Sequence, residues 1–258
     1  MSGLALVFCA ILVAVLKTPA ETRELPPLVI RIDDIQDRAF RDATFFLLNE
    51  NASYRALASL AVIPGRFGDD KEIVAAVKAA LGSGSEVTSH GLLHEDLTTF
   101  SRAEQVNLLT QARARIKEIL GRNTKILVPP SFNFNDNTIS AMQATGYTII
   151  SSATGFTEPG LLSTVVSVPG TVNLSVLSNN TTWEMKSNEA VMGEISGSVQ
   201  KYGFAVVVTH PQEFLKNGIL NEADTKSYSA LLDSLKQSYT FTTLEKLGAK
   251  LKKQYSSP

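Results

Sequence analysis

The whole chain contains three histidines, and two of them, His90 and His94, lie four positions apart in the stretch SHGLLHEDL (89–97). On a helical turn, side chains at that spacing share a face, and both imidazoles can reach one ion. The plainer alternative is a loop or capping residue beside a surface one. A second feature is Asp33-Asp34, with Asp37 close behind in DDIQD (33–37). Adjacent carboxylates repel one another when buried unless a cation lies beside them. Successive residues at a strand end point to opposite sides, so one can bind a metal while its neighbour faces substrate. Against this stands a solvated turn, since Asp is common at strand ends. The third histidine, His210, ends the apolar run FAVVVT (204–209) and precedes Pro211. A half-buried imidazole there is open to tuning by neighbouring charge and suits general-acid work near neutral pH. Taken singly, it reads better as a satisfied structural histidine. Two histidines and one carboxylate leave coordination positions open, the donor set of a hydrolytic or oxidative metal centre rather than a closed structural one. A further carboxylate beside them can take a proton from an attacking water.

Strand-like and helix-like segments alternate along the chain. LVIRI (28–32) runs into Asp33-Asp34, and RALASLAVIPG (55–65) has an apolar centre ended by a Pro-Gly breaker. DDKEIVAAVKAALGSG (69–84) opens with acids and closes with glycine, a punctuated helix, and EVTSH (86–90) is a short strand. SRAEQVNLLTQARARIKEILG (101–121) predicts the clearest helix, with Ser101 and Glu104 as a capping box and Gly121 as its stop. KILVPP (125–130) is a strand stopped by proline, NDNTISAMQATG (135–146) a helix and YTIISS (147–152) a strand. FAVVVTHP (204–211) is a buried strand, SYSALLDSLKQS (227–238) a helix, YTFTTL (239–244) a short strand with a cap, and LEKLGAKLKKQ (244–254) a terminal helix. The alternation indicates an α/β fold, and uninterrupted apolar strands indicate parallel neighbours covered on both faces. Polar clusters follow the strands directly: Asp33-Asp34, Ser89-His90, Pro129-Pro130-Ser131 and His210-Pro211. Active sites of parallel α/β folds form at those C-terminal strand ends, so one catalytic mouth is expected. Residues 155–200, rich in Ser, Thr, Asn and Gly, are expected to be loops that carry specificity.

Composition bounds the function. A net charge of −1, with no basic tract interleaved with aromatics, argues against nucleic-acid binding. The 258 residues, 44% hydrophobic and 19% charged, hold ample material for a core. Residues 4–16, LALVFCAILVAVL, form an apolar run shorter than a comfortable membrane span and read as a secretory signal with cleavage near Ala20; an uncleaved anchor is the competing reading. The expected organisation is therefore residues 1–20 as signal peptide or anchor and 21–258 as one catalytic domain. Cys9, the only cysteine, lies in that run, so the mature protein would hold no disulfide and no thiolate ligand. Sequons at Asn51, Asn173 and Asn179 allow N-glycosylation of an exported chain.

Four segments in order, VIRIDDIQD (29–37), EVTSHGLLHEDL (86–97), LVPPSFNFND (127–136) and VVVTHPQEF (206–214), resemble the polysaccharide deacetylases, carbohydrate esterase family 4 of the chitooligosaccharide deacetylase superfamily, in a divergent branch. The resemblance implies a distorted, incomplete (β/α) barrel of mostly parallel strands. It implies a divalent metal, zinc above all, held by Asp34, His90 and His94 and polarising the acetamide carbonyl. Asp33 would be the base for the attacking water and His210 the acid that protonates the leaving amine. A backbone N–H near Ser131 would hold the oxyanion, with Pro130 and Asn133 beside it, and Trp183 would wall the acetyl pocket. Glu95 and Asp96 would orient the ligands. There are departures. Val128 and Ser131 stand where the family has an Arg that orients the base and a Tyr, so Asn133 or Asn135 is expected to orient Asp33 instead. Pro211 follows His210 where the family often has an acid. The implied function is removal of N-acetyl groups from a chitin-like or peptidoglycan-like polysaccharide, releasing acetate; separately, the protein is expected to be a secreted monomer, and no protein partner is inferred. O-Deacetylation of a polysaccharide such as xylan, or glycan binding on a decayed scaffold, are the alternatives.

Overall fold

The computed structural model describes residues 24–178 and 182–256; the apolar run at 4–16, the boundary near Ala20 and the sequon at Asn179 lie outside them. In chain order the elements are β1 (Pro27–Ile35), α1 (Arg41–Ser53), β2 (Ala58–Val62), α2 (Lys71–Gly82), β3 (Glu86–Ser89), α3 (Arg102–Leu120), β4 (Ile126–Leu127), α4 (Asp136–Thr145) and β5 (Ile149–Ile150). Then come β6 (Gly160–Leu162), β7 (Val165–Ser167), β8 (Val172–Asn173), β9 (Ser175–Ser178), β10 (Thr182–Met185), α5 (Asn188–Tyr202), β11 (Ala205–Thr209), β12 (Leu215–Lys216), β13 (Ile219–Leu220), α6 (Glu222–Ser238), β14 (Thr240–Thr242) and α7 (Leu244–Ser256).

One sheet runs in the order β6-β7-β5-β4-β3-β2-β1-β11-β8, with β14 also beside β1. Its pairings are parallel except for β6 with β7. The sheet curls round on itself through a single extended run, residues 165–173. The first half bonds to the β5 side (Val168 N–H to Ile150 O, 2.9 Å) and the second half to β11 (Thr171 N–H to Val206 O, 2.9 Å). The result is the distorted barrel of mostly parallel strands that the resemblance implied.

Strand alternation sorts the core into two. Leu28, Ile30 and Ile32 of β1 face outward and join Ala43 and Leu47 of α1, Ile73 and Val77 of α2, and Leu231 and Leu235 of α6. Val29 faces inward and meets Ala61, Val128, Val168 and Val206, against which α7 packs Leu244, Leu247 and Leu251. The predicted capping box of α3 is present, with Ser101 and Glu104 exchanging bonds and Gly121 left-handed at the C-cap. Two helices escape the pattern reading. α1 carries its apolar residues side by side in FFLL (45–48), and α5 dilutes its stripe with Gly193 and Gly197. The stretch 155–200, read as loops, therefore contains β6 to β10 and most of α5. Among the described residues, no helix is long and apolar enough to cross a membrane.

Candidate active site

β1 is bulged at its C-terminal end: Ile32 pairs with Leu60 and Ile35 with Val62, so the two strands lose register across Asp33 and Asp34. Bulges re-aim side chains beside functional sites. Here Asp34 takes a left-handed backbone (φ 61°), uncommon without glycine. Its Oδ1 lies 3.3 Å from His90 Nε2 and 3.2 Å from His94 Nε2, and the three ligand atoms all fall within 4.8 Å of one another. Neither contact has the alignment of a hydrogen bond, and this buried oxygen has no hydrogen-bond partner. Ligands bonded at ~2.1 Å to one zinc-like ion sit roughly 3 to 3.5 Å apart, so the spacing fits a shared cation better than a direct contact. His90 Nδ1 lies 2.8 Å from the Val128 carbonyl. A carbonyl only accepts, so Nδ1 carries the hydrogen and Nε2 keeps the lone pair a metal needs. Burial would raise the Asp34 pKa, but the two histidines hold it well below the carboxylate range, and His94 is raised in turn by Asp34.

The histidine pair is not on a helix, contrary to the expected helical turn. His90 follows β3, and the chain then turns through left-handed Gly91 (φ 70°) and His94 (φ 68°). Glu95 makes its hydrogen bonds to the loop backbone rather than to His90 or His94. Its carboxylate accepts from Leu92 N–H (2.9 Å) and Leu93 N–H (2.6 Å), which pins the loop instead. Asp96 caps the short turn Leu97–Thr99 and accepts from Asn133 Nδ2 (3.1 Å). Asp37, read as a third carboxylate of the cluster, turns away to accept from the Asp69 N–H.

Asp33 is fully buried, and its partner is Arg31, two residues earlier on the same inward face. Arg31 Nε donates to Asp33 Oδ1 (3.0 Å) and Nη2 to Oδ2 (2.8 Å). Asn133 and Asn135, expected to orient Asp33, are both engaged elsewhere. Asn133 is bound to Asp96, and Asn135 caps α4, its side-chain oxygen accepting from the Thr138 N–H.

His210 Nε2 stands 3.9 Å from Asp33 Oδ2. Its Nδ1 bonds to Glu213 Oε1 at 2.7 Å, while Thr209 Oγ1 donates to Glu213 Oε2 at 2.8 Å. Burial opposes charge on this imidazole, but Glu213, then Asp33 and Asp34, outweigh it and push its pKa up to about 9. The acid absent at Pro211 is thus supplied from the turn just beyond it. Trp183 of β10 stacks on His210, centroids 5.5 Å apart and planes 26° apart. Gln212 Nε2 donates to Asp34 Oδ2 (2.7 Å) and steers the second carboxylate oxygen. Arg31, Gln212 and Glu213 went unread in the sequence. The available signals were a lone arginine in an apolar strand and polar side chains within one turn of His210.

The third block forms a tight turn, Pro130–Phe132, with Ser131 (φ 52°) and Phe132 (φ 62°) both left-handed. Ser131 is exposed and its N–H makes none of the turn's hydrogen bonds. Pro130 packs against Gly91, where a Cβ would lie 3.0 Å from its ring. The third and second blocks are therefore in contact.

The polysaccharide deacetylase family model matches residues 30–150, the span from β1 to β5 that includes Asp33, Asp34, His90 and His94. Over that span the chain resembles the polysaccharide deacetylases, and its fold is that of solved structures of carbohydrate esterase family 4. No curated protein matches in sequence. Among solved structures, a Mycobacterium smegmatis protein assigned as a polysaccharide deacetylase is similar over 92% of this chain and 94% of its own, with TM-score 0.68 and 15% identity. A family 4 acetyl xylan esterase from Clostridium thermocellum, solved with a cobalt ion, shares 15% identity over 87% of this chain and 91% of its own (TM-score 0.59). A family 4 pseudoenzyme from Bacillus anthracis shares 15% over 86% of this chain and 65% of its own (TM-score 0.58).

Proposed function

We propose that this chain is a divalent-metal-dependent hydrolase that removes N-acetyl groups from an amino-sugar polysaccharide and releases acetate. The observation that carries the reading is geometric: the buried, arginine-clamped carboxylate of Asp33 lies 3.9 Å from His210, beside Asp34, His90 and His94. Asp34, His90 and His94 would hold the ion, with zinc the leading candidate from the donor set. Such an ion lowers the pKa of water and polarises a carbonyl. Asp33, clamped by Arg31, takes the proton of the attacking water. His210, held protonated by Glu213, delivers a proton to the departing nitrogen. Amine departure from a tetrahedral centre needs that proton more than alkoxide departure does, which favours an amide over an ester. Trp183 covers His210 and limits its access to water. Ser131 N–H is the candidate donor to the oxyanion, with Pro130 and Asn133 framing its turn.

Glycan binding without turnover is the second reading, and a family pseudoenzyme with this fold shows that the scaffold survives loss of activity. The complete set of charged partners here argues against it, because a binding site has no use for a buried base and acid aimed at each other. The test is acetate release from chitooligosaccharides, peptidoglycan and acetylxylan with zinc or cobalt added, beside the metal content of wild type and His94→Ala. Release from the amide substrates, with metal lost in the variant, supports the reading. Absence of release from all three would sink it, and equal metal in both proteins would sink the ligand assignment. Export, suggested by residues 4–16, is tested by sequencing the N-terminus of protein recovered outside the cell.

A further inference from the structure

We infer that Arg31 is the positioning residue of the base: it fixes the aim of Asp33 from within β1, replacing an arginine that the third block lacks. The inference rests on the reading of Asp33 as base, and its geometry stands independently. Arg31 is fully buried, and every nitrogen of its guanidinium is engaged. Nε and Nη2 fork onto the two Asp33 oxygens. Nη1 donates to Ser151 O (2.8 Å), Ser151 Oγ (2.9 Å) and Ser152 O (2.8 Å) across the barrel. The Phe132 ring lies 5.5 Å over the guanidinium, and Ser152 Oγ is tied to the Phe132 carbonyl (2.6 Å). At Gly170 a Cβ would come 3.3 Å from Nη1 and 2.5 Å from Val208 Cγ2, so only glycine leaves this socket open.

A socket built from β1, β5, the third block and Gly170 does more than neutralise a charge. A bidentate fork fixes the carboxylate plane, whereas a lysine would supply charge without that aim. Val128 occupies the third-block position, and its buried side chain shares the inner core with Val29, two residues before Arg31 on the same face of β1. An arginine placed at 128 can therefore approach Asp33 from β4.

The test uses full-length Arg31→Lys, Arg31→Met and the double variant Arg31→Met/Val128→Arg, assayed for acetate release from chitooligosaccharides. Removing a positioned fork is expected to lower kcat on the order of 100-fold with KM within about twofold, a loss in the range set by misplacement of a reacting group. Arg31→Lys should recover little, and the double variant should recover at least about tenfold over Arg31→Met. Metal content should stay at the wild-type level in all three. A thermal-unfolding cycle supplies the second readout. Arg31→Met should lower Tm by on the order of 10 °C in the wild type and by less than half of that in an Asp33→Asn background. Equal Tm losses in both backgrounds would overturn the pairing. So would a folded Arg31→Lys with wild-type kcat, or a folded double variant no better than Arg31→Met. An inactive wild type with the Tm coupling intact would instead overturn the deacetylase reading and leave the Arg31–Asp33 assignment supported.

Discussion

Glu213→Gln isolates what holds His210, the proposed acid, in its protonated form. The substitution keeps the side chain's size and its reach to Thr209 and His210; it removes the charge and turns one acceptor oxygen into an NH2, which the Thr209 hydroxyl can accept from by rotating. With Glu213 in place the His210 pKa is pushed up to about 9 from an ordinary 6.5, burial acting against the charge and the Glu213 bond and charge leading the opposition. The difference, 9 − 6.5, corresponds to about 3 kcal/mol. At pH 7 such a group is about 99% protonated; at 6.5 it would be about 24%, and burial without Glu213 carries it lower still. The alkaline limb of kcat for acetate release should therefore move down by two units or more in Glu213→Gln, with a loss of at least about fourfold at pH 7. A divalent ion on Asp34 offsets that carboxylate's share, so the comparison is between variant and wild type in the same metal. Stability follows the same sign. Because the folded-state value lies above the ordinary one, the contribution is full below pH 6.5 and is lost as pH rises through about 9. Wild-type Tm should fall across that window, and the variant should be flat. Superimposable alkaline limbs in the two proteins would refute the assignment of Glu213.

Trp183→Ala removes the ring stacked on His210 and should lower kcat about two- to tenfold, matching the ~0.5–1.5 kcal/mol of an aromatic pair; an unchanged kcat would remove Trp183 from the site. Glu86, at the start of β3, is raised to about 7 by burial, against its bonds from Ser59 and the Glu245 N–H. A carboxyl raised in the fold contributes stability that is full below 4.5 and lost as pH rises through about 7, so Glu86→Gln should abolish up to about 3 kcal/mol of pH dependence in urea unfolding between those limits. Asn51 is buried, and its Nδ2 donates to Leu47 O (2.9 Å) and Tyr228 Oη (2.8 Å), so peptide mapping should find this sequon bare even where the exposed Asn173 carries glycan. Asn51→Ala should cost about 1–3 kcal/mol, since Tyr228 loses its buried partner.

Legibility followed chemical rarity. His90, His94 and His210 were visible because they are the chain's three histidines, and the aspartate pair because two adjacent carboxylates end one apolar strand. Their strand-end placement also located the mouth. What sequence spacing could not carry was backbone handedness: the four-residue interval of the histidines was read as a helical turn, while left-handed Gly91 and His94 set a loop. Arg31 stayed hidden because a charge inside LVIRI reads as an anomaly until the curled sheet places Ser151 and Ser152 across from it. Glu213 stayed hidden because its partner lies within one short turn, where polar residues are ordinary. α5 and the β9–β10 hairpin that presents Trp183 stayed hidden because their residues are small and polar, and tertiary contacts rather than local propensity define them.

The run 165–173 bonds to β5 at one end and to β11 at the other, so it works as a clasp. Unfastening it frees two flanks at once, and amides such as Val168 and Thr171 should exchange together in one opening event. The segments on either side hang from a fastened band: 154–163 before it, and the β9–β10 hairpin with Trp183 after it. Changes of length beyond their bonds to the band, such as Thr154 N–H to Gly170 O, are expected to leave the inner wall that carries Asp33 and Arg31 in place. A fold built this way can vary its rim while the buried Arg31–Asp33 pair below keeps its geometry.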